Sequence, residues 1–181
     1  KENYLILGSH CLLTSRKGLH QSIKSLVQLP KYAFVVIGEG QELKNLIDLS
    51  NKLGVYHRCL FLGYKFNATS YLKYFDVYGM SSYSEGFPLG LLEAGLSKLP
   101  VVCSDLPIFR ELFSEKEVSY FELDNIDSLS KAILSCIKNK EEYSNSIFSC
   151  ITKKYSNTAM VKNYHDLYLL GKKAKINVFN Q

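Results

Sequence analysis

The sequence predicts an α/β domain built on a doubly wound, mainly parallel six-stranded sheet, with helices on both faces and a helical C-terminal tail. Three observations carry this. Six short apolar runs recur along the chain, several of them unbroken by polar residues, as strands buried on both faces require. Most are followed by a glycine or polar loop and then by a stretch of helical spacing. Parallel neighbours need crossover connections of that kind.

Each element has its own signal. Tyr4–Gly8 is a short apolar strand, and Gly18–Leu29 shows helical spacing through Leu19, Ile23, Leu26 and Val27. Tyr32–Ile37 is a continuous apolar run closed by Gly38. Glu42–Leu53 is an amphipathic helix that stops at Gly54, a residue suited to the left-handed position after a helix. Cys59–Leu62 is strand-like and ends at Gly63. Thr69–Phe75 is a short helix, and Val77–Ser81 the fourth strand. Leu89–Leu99 is helical, Val101–Cys103 is strand, Ile108–Phe113 is a short helix, and Val118–Phe121 is the last strand. The helices Ile126–Lys138, Glu141–Lys154 and Thr158–Gly171 follow. The pattern is Rossmann-like, and in such sheets ligands bind beyond the carboxyl ends of the strands.

Size and composition bound the function. At 181 residues and 46% hydrophobic, the chain suits one domain with a sizeable core. A net charge of +5 raises nucleic acid as a partner, but Lys and Arg are scattered instead of striped, which argues against it. Lys73-Tyr74-Phe75 reads as part of an amphipathic helix. The five cysteines form no Cys-x-x-Cys pair, which suits reduced thiols in a cytoplasmic protein. No apolar run nears eighteen residues, and Lys1-Glu2-Asn3 is no signal peptide. His20, His57 and His165 have no Cys, Asp or Glu at ligand spacing, so no metal is expected.

The segment Ser84-Glu-Gly-Phe-Pro-Leu-Gly-Leu-Leu-Glu-Ala94 holds the most chemistry. Pro88 suits a first helical position, leaving the N–H groups of Leu89, Gly90 and Leu91 free for an anion. Glu93 lies about 7 Å further along the axis and leans back toward the helix start. Glu85 precedes the turn, so two carboxylates with seven residues between them can hold the two ends of a nucleotide sugar. A metal pair, or the two carboxylates of a glycosidase, are the competing readings.

This segment resembles the Glu-x7-Glu motif of retaining glycosyltransferases with the GT-B fold, the family 4 or group 1 type, and the resemblance runs from about Tyr4 to Tyr168. It implies a C-terminal, nucleotide-sugar-binding half, with an N-terminal acceptor-binding half outside this chain. It also implies that Glu93 binds the ribose hydroxyls and that Glu85, with Gly86 and Phe87 beside it, meets the donor sugar. Arg16-Lys17-Gly18 is similar to the family's Arg-x4-Lys-Gly loop, whose two cations clamp the diphosphate. Lys17 fits, but Leu12 stands where the family has Arg, and Arg16 or His10 is expected to supply the missing charge. Gly38-Glu39-Gly40 is similar to a family turn whose glycines let a ligand approach the backbone closely. Tyr64 stacks on the base or is an ordinary loop aromatic. Asp105 resembles a residue near the donor sugar, and as a residue type it also suits the N-cap of the helix after Pro107.

The implied function is hexose transfer from a nucleoside diphosphate sugar to a glycan or lipid-linked acceptor, without cofactor or metal, in bacterial surface polysaccharide or glycan synthesis. Peripheral membrane contact is compatible with it. The isolated domain should then be inactive. A transferase-like binding module without activity stays open because of Leu12. A sugar-nucleotide epimerase of the same architecture stays open by fold analogy.

Overall fold

The computed structural model describes residues 4–179; the Lys1–Glu2–Asn3 start considered for a signal peptide lies outside them. The elements are β1 (Leu5–His10), α1 (Leu19–Ser25), β2 (Tyr32–Ile37), α2 (Leu43–Lys52), β3 (Cys59–Phe61), β4 (Val77–Met80), α3 (Leu89–Leu96), β5 (Val101–Ser104), α4 (Pro107–Leu112), β6 (Ser119–Phe121), α5 (Ile126–Lys138), α6 (Lys140–Lys154) and α7 (Asn157–Phe179). Among the described residues the strands form one sheet in the order β3-β2-β1-β4-β5-β6, every neighbour parallel.

Alternation within the strands explains why helices cover both faces. Phe34 and Val36 of β2 and Val102 of β5 bury on one side with Leu19, Ile23, Leu46, Leu129 and Ile133 from α1, α2 and α5. Ile37, Val101 and Cys103 bury on the other, with Leu91, Ala94, Phe109, Ile147 and Ile151 from α3, α4 and α6. The central strands β4 and β5 are buried at every position. The strand order reverses direction between β1 and β4, and such a switch point opens a crevice at the carboxyl ends.

Four helices differ from the expected bounds; α7, expected over Thr158–Gly171, runs on to Phe179. After Ser25 the first helix tightens into i→i−3 turns through Leu29. The Arg58 guanidinium takes the carbonyls of Leu26, Leu29 and Tyr32, each at 2.9 Å, and Pro30 follows. Expected through Leu99, α3 stops at Leu96 because Lys98 turns left-handed (φ 56°) and the Leu99 N–H returns to the Ala94 carbonyl at 3.0 Å. That 6→1 bond, with buried Leu99 beneath it, is a Schellman closure. Residues Ala68–Tyr74 wind as a 3-10 helix instead of an α-helix.

Candidate active site

The site forms at the β1/β4 switch point, where the loop from β1 to α1 lies against the loop from β4 to α3. Backbone and side-chain bonds stitch the two loops together. The Tyr83 N–H donates to the Arg16 carbonyl (2.8 Å), and Ser81 Oγ donates to the Lys17 carbonyl (3.1 Å). Buried Gln21 donates from Nε2 to the Ser81 carbonyl at 3.0 Å and accepts the Asp124 N–H at 2.8 Å, tying the 122–125 turn to the same hub. Sequence reasoning missed Gln21; a polar residue on the inward face of an amphipathic helix was the available signal.

The two carboxylates flank the first turn of α3 as expected, and each has a nitrogen-bearing side chain facing it. Lys17 Nζ donates to Glu85 Oε1 at 2.7 Å, with side chains only 16% and 6% exposed. Ser82 Oγ donates to the same oxygen at 2.6 Å. His10, the last residue of β1, places Nε2 2.6 Å from Glu93 Oε2. The Arg16 guanidinium reaches the Ser84 carbonyl at 3.3 Å. Arg16 and His10 both turn toward the 84–93 segment, but each is already engaged there.

Pro88 is not the first helical residue. Its ψ of 68° is non-helical, so it caps the helix and Leu89 begins it. The Leu89 N–H bonds the Phe87 carbonyl and the Leu91 N–H the Pro88 carbonyl, both at 3.0 Å. Only Gly90 keeps a first-turn N–H free of such a bond, so the anion-facing donors are fewer than expected. Leu91 is a core side chain, whereas Leu89 is exposed. Phe87 packs edge-on against Tyr155 at the end of α6 (6.3 Å between centroids). A Cβ at Gly86 would meet nothing within 4 Å, so space is open there.

Leu12 lies in the stretch that runs on from β1 beside the end of β2. The Cys11 N–H bonds the Ile37 carbonyl and the Leu13 N–H the Glu39 carbonyl, so residues 11–13 run on alongside the extension of β2. Leu12 therefore opens into a cleft of about 410 Å³ beyond β1 and β2, lined also by His10, Gly38 and Tyr64. The glycines of the Gly38–Gly40 turn serve this loop. A Cβ on Gly38 would sit 1.9 Å from the Cys11 carbonyl oxygen, and one on Gly40 2.3 Å from that of Leu13. Their close approach in this structure is to the protein's own backbone. Tyr64 is largely exposed on the cleft rim.

Asp105 is no N-cap. Leu106 occupies that position, and Asp105 forms two bonds with Arg110 at 2.7 and 2.9 Å, which hold its carboxyl below the usual range. His20 stacks on Tyr83, whose hydroxyl donates to Asp124, an acidic neighbour invisible at local spacing. Burial pushes the Cys11 thiol up to about 11, so its place in the cleft wall does not make it a nucleophile at neutral pH. Among the described residues no three His, Cys, Asp or Glu side chains gather as a metal site.

A parallel doubly wound sheet with a crevice at its switch point is the Rossmann-like architecture of one half of a GT-B glycosyltransferase. The chain belongs to the glycosyl transferases group 1 family, whose sequence model matches residues 1–147. It is 31% identical over 164 residues to the O-antigen biosynthesis glycosyltransferase WclY of Escherichia coli, covering 91% of this chain and 46% of that protein. The chain thus spans about half the length of such a relative. Its fold matches Anabaena HepE, solved in complex with UDP, with a TM-score of 0.84 at 21% identity, covering 94% of this chain and 49% of that one. It also matches the C-terminal domain of a glycosyl transferase group 1 family protein, LpcC, from Francisella tularensis, with a TM-score of 0.74 at 21% identity, covering 84% of this chain and 87% of that one.

Proposed function

We propose that this chain is the donor-binding half of a retaining glycosyltransferase, which moves a hexose from a nucleoside diphosphate sugar to an acceptor hydroxyl with the anomeric configuration kept. One observation carries the reading: Glu85 and Glu93 flank the α3 start, and Lys17 reaches the same turn from the β1–α1 loop. Lys17, the free Gly90 N–H and the positive end of α3 converge where a leaving diphosphate would gather charge, and preorganised donors of this kind stabilise it without a metal. Glu93 then holds the ribose hydroxyls, and Glu85, released from Lys17, faces the sugar. The base enters the cleft lined by Leu12, Gly38 and Tyr64, where Tyr64 offers a stacking face.

The acceptor, a glycan or lipid-linked saccharide, is met by an N-terminal domain outside this chain that closes over the donor. This half alone should bind donor weakly and transfer nothing. The name of the E. coli relative, an O-antigen biosynthesis glycosyltransferase, supports a role in bacterial surface polysaccharide synthesis. Among the described residues no helix is long and apolar enough to cross one, so any membrane contact through them would be peripheral.

Calorimetric titration tests the division of labour. Glu93→Gln should weaken nucleoside diphosphate binding, while Glu85→Gln should spare the bare nucleotide and weaken only the intact sugar donor. Equal losses of bare-nucleotide affinity in both variants would refute the assignment. A second reading, a binding module without transferase activity, is favoured by apolar Leu12 at the family's Arg position. It predicts no nucleotide binding even at millimolar ligand.

A further inference from the structure

We infer that His10 is a positioning residue for Glu93, fixing its carboxylate so that one oxygen stays presented to the ribose diol. This rests on the donor-site reading above and names a part of that site which the paired glutamates alone do not supply.

The geometry points this way on three counts. His10 Nε2 lies 2.6 Å from Glu93 Oε2, so in either ring state that carries a proton on Nε2 the imidazole donates to one oxygen and leaves Oε1 free. The imidazole is itself held. Its side chain is 11% exposed, its ring meets Tyr78 edge-on (5.4 Å between centroids), and it lies against Gly90, where an added Cβ would come within 3.5 Å of Cε1 and 2.6 Å of the Tyr78 hydroxyl. Gly90 thus leaves room for the Tyr78 hydroxyl, and the imidazole lies in van der Waals contact beside it. Glu93, by contrast, is 45% exposed on the surface of α3, and without His10 it would lose a contact that restricts its rotamers. Ordering such a side chain is a cost that binding must meet unless the free protein has already met it.

His10 cannot serve this purpose through bulk alone. Its Nδ1 is buried without a hydrogen-bond partner among the described residues, a state that a merely space-filling residue would avoid. Of the two ring nitrogens only Nε2 has a hydrogen-bond partner among the described residues, and that partner is Glu93. His10 also lines the cleft that takes the base in this reading, so the contact it makes with Glu93 lies between the base and diphosphate ends of the site.

The test is calorimetric titration of the full chain with UDP and with its 2′,3′-dideoxy analogue. His10→Ala should weaken UDP binding about three- to tenfold and leave dideoxy-UDP binding unchanged. His10→Gln, whose side-chain amide can donate to Glu93, should restore at least part of the UDP affinity. Equal loss for both ligands in His10→Ala would overturn the inference and make the imidazole a diphosphate counter-charge or a packing residue. Unchanged UDP affinity in a folded His10→Ala, with Glu93→Gln still weakened, would overturn it while leaving the donor-site reading intact. Wild-type protein that binds neither ligand, nor ADP, GDP or CDP, refutes the donor-site reading itself. Far-UV circular dichroism of each variant verifies folding.

Discussion

Replacing Lys17 by Met removes one partner of an enclosed ion pair and leaves the other. The Glu85 side chain is 6% exposed and takes Lys17 Nζ at 2.7 Å and Ser82 Oγ at 2.6 Å. Taking one charge from a buried pair costs about 3–5 kcal/mol, chiefly because the orphaned charge stays desolvated. The surviving Ser82 bond favours the lower end, about 3 kcal/mol. For a domain of this size that corresponds to a fall in Tm of about 6–12 °C. Lys17→Met/Glu85→Gln removes both charges and leaves an amide that still accepts from Ser82, so it should recover most of the loss. Equilibrium urea unfolding measures each variant, and the m-value tests whether the unfolding reaction is the same. Saturating nucleoside diphosphate adds a second readout. At a hundred times Kd it should stabilise wild type by about 2.7 kcal/mol, and Lys17→Met should lose much of that increment if Lys17 meets the diphosphate. A cost below 0.5 kcal/mol for Lys17→Met, or a double variant no more stable than the single, would refute the reasoning that this pair is a buried, coupled one.

Two further outcomes follow from the same geometry. Gly38→Ala should destabilise severely, by about 3 kcal/mol or more, because its φ of 138° is left to glycine and the new Cβ would lie 1.9 Å from the Cys11 carbonyl oxygen; Gly63→Ala (φ 67°), with nothing within 4 Å, should cost only about 1 kcal/mol. Thermal melts of the two variants, with Gly38→Ala no worse than Gly63→Ala, would show that the loop can move aside. Alkaline stability should fall between pH 9 and 11, since burial pushes the Cys11 and Cys59 thiols from 9.0 up to about 11. The folded state keeps those protons after the unfolded chain has released them, so unfolding is favoured as pH rises through that window. Denaturation curves from pH 7 to 11 check it, and Cys11→Ser/Cys59→Ser should flatten the decline.

The strands were legible because a parallel strand buried on both faces writes a continuous apolar run, and Tyr32–Ile37 is bounded where that run stops. Helix ends were less legible because they are set by distant groups. Arg58 draws on the carbonyls after α1, and nothing within Leu19–Leu29 announces it. The carboxylate pair was readable from one contiguous segment. Its partners were not, since Lys17 and Glu85 are separated by 68 positions and His10 and Glu93 by 83. Leu12 shows the limit most clearly. Counting back from Lys17 assumes that the loop leaves the strand directly for α1. Instead residues 11–13 bond to the Ile37–Glu39 backbone, and the missing side chains of Gly38 and Gly40 make room for them. That detour places position 12 on the wall of a cleft that His10 and Tyr64 also line. Of this segment, His10 at the end of β1 is the side chain that bonds α3, through Glu93.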